Sequence, residues 1–87
     1  NPHVILLIDV PDPAGRLTRW SFEATAPTAV RRGGLRREML AVGSRVTING
    51  WHARDESVNQ GGVRELILEN GRSFILGFNA SRTPPVP

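Results

Sequence analysis

Two histidines, eight carboxylates and eleven arginines are the side chains of this sequence that could do chemistry. A metal centre needs several good ligands held close together, and His3 and His52 are the whole imidazole supply. His3 follows Pro2 ahead of an aliphatic run, and His52 leaves another. Asp9, Asp55 and Glu56 could join them, but nothing in the spacing draws these groups into one cluster. The expectation is a structural histidine bonded to backbone at each strand end. Glu23, Asp55, Glu56, Glu65 and Glu69 form no acid–base pair by pattern and sit where solvated carboxylates belong. No Gly-x-Ser-x-Gly is present to activate a serine. Asn59-Gln60-Gly61-Gly62 and the run Arg31 to Arg37 lack phosphate-loop spacing. There is no cysteine, hence no disulfide and no thiolate nucleophile. The chain therefore reads as not an enzyme, with no catalytic residue, no metal and no cofactor.

Binding chemistry has a better candidate. Trp51 falls on the polar side of residues 45–52, with Arg45, Thr47 and Asn49, whereas Trp20 and Phe22 fall on the apolar side of 16–24. An exposed indole beside an arginine is what base stacking requires. A lid over a small core or an oligomer contact requires the same, and these are the favoured readings. The candidate ligand or partner residues are Trp51, Arg45, Arg19 and His52. The net charge is only +3. The pI of about 11.3 follows from the absence of lysine, because guanidinium stays protonated where ammonium titrates. It is not a nucleic-acid signal. Arg31, Arg32, Arg36 and Arg37 are expected to be solvated, or paired with Glu23 and Glu38, each worth little.

These side chains must be held by a small β scaffold. Residues 3–10 are aliphatic on both faces, with Val4, Leu6, Ile8 and Val10 on one side and Ile5 and Leu7 on the other, which suits a strand covered on both faces. Pro11 to Gly15 spell a turn, with Asp12 able to close an Asx turn and Gly15 able to take positive φ. Residues 16–24 alternate, with Thr18, Trp20, Phe22 and Ala24 on the apolar face, and should pair antiparallel with 3–10. Thr25 suits an N-cap, Pro27 a first turn and Gly43 a left-handed stop. Between them lie two short helical turns kinked at Gly33-Gly34, packing Ala29, Val30, Leu35, Met39 and Leu40 inward. Strand 45–52 follows, then a polar loop through Gly62. Next comes a hairpin over 63–69 and 73–78, with a two-residue type I′ turn at Asn70-Gly71. That turn sets Ile67 opposite Phe74. Residues 1–79 form a single domain, and 80–87, with three prolines in the last four positions, form a tail. No run approaches the ~20 apolar residues of a membrane helix, so no membrane insertion is expected.

Strand, strand, short helix, strand, strand is the order of a small OB-like antiparallel Greek-key β-barrel. One short kinked helix lies between strands 16–24 and 45–52, and the first barrel strand falls upstream of Asn1. That leaves Val4, Ile5, Leu6, Leu7 and Ile8 as a strand-pairing edge, an aggregation template unless covered. The cover is expected from residues 73–78 folding across, or from another chain.

Several phrases carry a family resemblance. They are Asn1-Pro2-His3-Val4, Asp9, Gly15, Trp20-Ser21-Phe22-Glu23, Arg31-Arg32-Gly33, Leu40 to Gly43, Val46-Thr47-Ile48-Asn49-Gly50, Ala53-Arg54-Asp55 and Asn70-Gly71-Arg72. In this order and spacing the chain resembles a family of small secreted bacterial proteins catalogued only as a domain of unknown function. Gly34 stands where the resemblance would set an aromatic. The resemblance implies an export signal and a preceding strand upstream, and a periplasmic or secreted location. It implies no catalytic residue. The functional expectation is a non-enzymatic binding or interaction module of an exported bacterial protein, with another protein chain or a homo-oligomer as partner. The alternatives are a single-stranded nucleic-acid-binding OB domain, and a structural subunit completed by strand pairing with another chain.

Overall fold

The computed structural model describes residues 3–77. The expectations for Phe78 and for the 80–87 tail lie outside the described residues. The chain is mainly β: β1 (Ile5–Pro11), β2 (Leu17–Glu23), α1 (Pro27–Arg32), a single 3-10 turn at Arg37–Met39, β3 (Val46–His52), β4 (Gln60–Leu68) and β5 (Ser73–Ile75). All five strands join one open sheet of order β1-β2-β4-β3, with β5 also on β4. Among the described residues the sheet does not close. It is also mixed, because β2 and β4 run parallel while the other pairs are antiparallel.

The first hairpin follows its turn chemistry. The Asp12 carboxylate accepts the amides of Ala14 and Arg16 at 2.9 and 2.8 Å, and Gly15 takes φ +84°. Asp9 then pairs with Arg19 and Ile8 with Trp20. Each strand's apolar column thereby faces the same side.

β4 begins earlier than the polar loop expected through Gly62, because Gln60, Gly61 and Gly62 are already paired, with β2 on one side and with β3 on the other at the two glycines. Glycine is depleted in strands, so composition hides this segment. The structure needs it there. A Cβ on Gly50 would fall on the Gly62 carbonyl oxygen, one on Gly61 on the Trp51 carbonyl oxygen, and one on Gly62 on the Trp51 indole. A bulge follows at once. Asn49 pairs with Glu65 but Gly50 with Val63, so two residues of β4 oppose one of β3 and Arg64 is left over. The extra residue shifts the alternation, and Val63 and Leu66 both reach the core.

β4 shares one edge between two neighbours. Gln60 to Gly62 take β2, and Glu65 to Ile67 take β5. Leu76 fits where they meet: its amide donates to the Arg64 carbonyl and its carbonyl accepts from Thr25, both at 2.8 Å. Thr25 in turn accepts from Val4 at 3.0 Å. Thr25 is therefore not a helix cap. Ala26 occupies that position without a side-chain hydrogen bond, and the Thr25 backbone is committed to the sheet.

The second hairpin differs from expectation by one residue. Leu66 pairs with Phe74 and Ile67 with Ser73. Leu68 donates to Arg72, Gly71 donates to Leu68, and Gly71 has φ +93° while no non-glycine residue among those described has positive φ. This is a three-residue loop ending in a left-handed glycine, not a type I′ turn, which needs two positive φ values. A one-residue slip moves every side chain to the other face. The observed register lets Leu66 and Phe74 share the core.

Helix α1 has six residues, too short to persist by itself. Val30 anchors it at 7% exposure, and the Arg36 guanidinium donates to the Arg31 carbonyl at 2.8 Å. Ala29, expected inward, is exposed, because one short turn on the sheet buries only the side that carries Val30. Ala24, Val63, Leu66 and Leu76 are fully buried and Val30, Leu35 and Phe74 nearly so. Met39, Leu40, Val46, Ile48 and Leu68 pack around them. No helix among the described residues is long and apolar enough to cross a membrane.

The glycine approach gives a test. Gly50→Ala sets a methyl group against backbone and should cost more than about 2 kcal/mol. Gly15→Ala, where a methyl meets nothing within 4 Å, should cost about 1 kcal/mol from its left-handed φ alone. Urea midpoints of the two variants would rank them, and equal midpoints would contradict this account.

Candidate functional site

Gly61 creates the most distinctive cluster on the inner face. It pairs with Phe22 on one side and His52 on the other. With no side chain between them, rings from β2 and β3 can meet above it. Trp20 stacks on Phe22, with centroids 5.6 Å apart and planes 11° apart. It also lies 4.8 Å from His52, tilted by 53°. Such contacts are worth about 0.5–1.5 kcal/mol each beyond burial. Leu6 and Ile8 of β1 sit opposite Phe22 and Trp20. Trp20 and Phe22 are half-buried and His52 is exposed, so this end of the inner face is less covered than the core around Leu66. The period-2 pattern of β2 marks Trp20 and Phe22 as a pair. Only the parallel β2–β4 pairing, which no local pattern announces, brings His52 to them.

His52 is held at a strand end by backbone, as expected: Nε2–H donates to the Val58 carbonyl at 2.9 Å. The loop beyond it is organised by Asp55, whose carboxylate accepts the Ser57 hydroxyl at 2.6 Å and the Ser57 amide at 3.0 Å. Those bonds, with a smaller contribution from the His52 charge, hold the Asp55 carboxyl below its ordinary range. His3 departs from expectation. Its Nδ1 engages the Glu23 carboxylate rather than backbone, because Glu23 ends β2 directly opposite Ile5, next to the residues leading into β1. Among the described residues no group of three or more His, Cys, Asp or Glu converges.

The other candidates lie apart. Trp51 sits on the outer face, half-buried, with its indole over Gly62. His52, the next residue, points to the opposite face. Arg19 donates from Nε to Asp9 at 2.7 Å, and that hydrogen bond and charge raise its pKa further. Arg45 is exposed just ahead of β3, six residues from Trp51, or ~20 Å of extended chain. Trp51, Arg45, Arg19 and His52 therefore do not form one site. Arg31, Arg32, Arg36 and Arg37 are all exposed. Arg36 serves backbone carbonyls, and Glu23 contacts His3 instead of an arginine.

The edge of β1 is the second feature. Val4 directs both its amide and its carbonyl toward the β2 side. Alternation sends Leu6 and Ile8 the same way and leaves the backbone groups of Ile5, Leu7 and Asp9 on the other side. β1 is an end strand, and the side chains of Ile5 and Leu7 are 50% and 62% exposed. Among the described residues, 73–77 do not supply the expected cover, because Ser73–Ile75 pairs with β4. The short turn at Glu69 to Gly71 returns the chain beside the strand it has just left and cannot carry it across β2 to β1.

The Asp55 turn makes a pH prediction. Its depressed carboxyl contributes stability that is present above the unfolded value of about 3.9 and is lost as pH falls through the lower folded value. Ser57→Ala removes the hydroxyl donor. The Asp55 carboxyl carbon, followed by NMR, should then titrate at higher pH than in the parent chain. An unchanged titration would mean that Ser57 is not what holds it down.

No curated protein and no solved structure matches the chain. The model of one family, described as a family of unknown function (DUF6152), matches residues 1–65. The match takes in β1, β2, α1, β3, the Asp55 turn and the glycine-rich start of β4. By that match over well more than half of its 87 residues, the chain belongs to the DUF6152 family of unknown function.

Proposed function

We infer that this chain is a non-catalytic interaction module that engages another protein chain by strand addition along β1. The observation that carries the reading is the edge itself: among the described residues, open backbone groups at Ile5, Leu7 and Asp9, with two exposed aliphatic side chains among them. An extended partner laid there gains main-chain hydrogen bonds for affinity and side-chain contacts for specificity. Between Val4 and Ile8 no charge or proline blunts the edge, which natural sheets otherwise use to prevent such pairing.

The finer fold reading is an OB-like barrel opened along one strand. The order β1-β2-β4-β3, the parallel β2–β4 pair and the helix between β2 and β3 support it, since these are the arrangements of that barrel without the strand that joins its two free edges. The module belongs in an exported, periplasmic or secreted bacterial protein, a location that rests on the family resemblance alone.

The test uses two probes on the 87-residue chain. A peptide of alternating valine and threonine should slow amide exchange at Ile5 and Leu7, and oligothymidine should leave it unchanged. If oligothymidine binds instead, with affinity falling steeply as salt rises, the stacked Trp20–Phe22 pair is serving single-stranded nucleic acid and the strand-addition reading is wrong.

A further inference from the structure

The outward column of β1 reads His3, Ile5, Leu7, Asp9 in chain order: a group that can be cationic, two aliphatics, a carboxylate. Turned antiparallel, that column is complementary to itself. We propose that the β1 edge docks a second copy of this chain about a two-fold axis at Leu6. This rests on the strand-addition reading and names its partner.

In that register Ile5 faces the partner's Leu7, and Leu7 faces the partner's Ile5. Both positions hold backbone groups on the open side, so each pair exchanges amide and carbonyl in the hydrogen-bonded manner. One step outward at each end, His3 faces the partner's Asp9. The neighbouring registers are worse. Centring on Leu7 sets Ile5 against a carboxylate, and centring on Ile5 sets His3 against leucine. Shifts between these set an open backbone group against one already used by β2. The flanking groups lie on the outward side within each chain: Asp9 bonds Arg19 at 2.7 Å, and His3 bonds Glu23. The seam is thus aliphatic at its middle, where Ile5 and Leu7 are 50% and 62% exposed, and polar at its two ends, where His3 and Asp9 lie.

Sedimentation velocity over a dilution series should show a dimer that dissociates as the chain is diluted. Leu7→Lys should abolish the dimer while leaving the circular dichroism spectrum unchanged, since Leu7 is exposed in the monomer. The chain has no cysteine of its own, so the register can be trapped. A mixture of Ile5→Cys and Leu7→Cys chains should cross-link under mild oxidation, because the paired Cα atoms lie about 5.5 Å apart, within disulfide reach. Leu7→Cys alone should not cross-link. Cross-linking by Leu7→Cys alone, or a dimer indifferent to Leu7→Lys, overturns the proposal. A chain that stays monomeric at every concentration overturns it too. If that monomer still protects Ile5 and Leu7 with the valine–threonine peptide, strand addition stands and only the second copy falls. If it binds no peptide, both fall.

Discussion

Beside the parallel β2–β4 pairing, a line of backbone hydrogen bonds ties the two halves of the sheet together. It runs from the Arg64 carbonyl through Leu76 and Thr25 to Val4. Arg64 and Leu76 continue the register of β4 with β5, β2 parts from β4 after Gly62, and Leu76 enters the gap between them. Buried backbone groups must be paired. A β4 without its bulge would turn Val63 or Leu66 away from the core. The fully buried residues Ala24, Val63, Leu66 and Leu76 cluster where this line crosses the sheet.

The same region decides what the faces present. Glycines at 50, 61 and 62 let β3 and β4 approach closely. They also remove the side chains that would separate Phe22 from His52 on one face and would lift Trp51 on the other. The aromatic cluster and the seated Trp51 are both consequences of that packing. Neither is made by residues adjacent in sequence, and neither gathers the arginines. The edge of β1 is different in kind, since its character comes from consecutive residues whose alternation is fixed by the first hairpin. This is why an interaction reading attaches to the edge more readily than a catalytic one attaches to any cluster.

The correspondence between sequence and structure varies by element. β1, β2 and the turn between them were legible from period-2 alternation and from Asp12 and Gly15, because both are local. The helical stretch was legible in place but not in detail: Thr25 looks like a cap by residue type, yet its backbone is taken by Val4 and Leu76. The Asn70-Gly71 turn was legible as a turn and wrong by one residue in register, since the need to bury Leu66 with Phe74 outweighs the dipeptide's preference. Of the candidate site, the exposure of Arg45 and the outer-face position of Trp51 followed from alternation. The Glu23 contact of His3 did not, because it joins residues twenty apart.

What the sequence determined by itself is therefore the first hairpin, the place of the helix, the outward aliphatics Ile5 and Leu7 of β1 and the lack of cysteine. Each is a property of neighbouring residues or of composition. The tertiary structure alone decided that β2 and β4 run parallel, that β5 joins β4 rather than β1, and that Trp20, Phe22 and His52 meet over Gly61. Those outcomes depend on which distant edges meet. Glycines, whose only local signal is to discourage strands, set that meeting through the space their missing side chains leave.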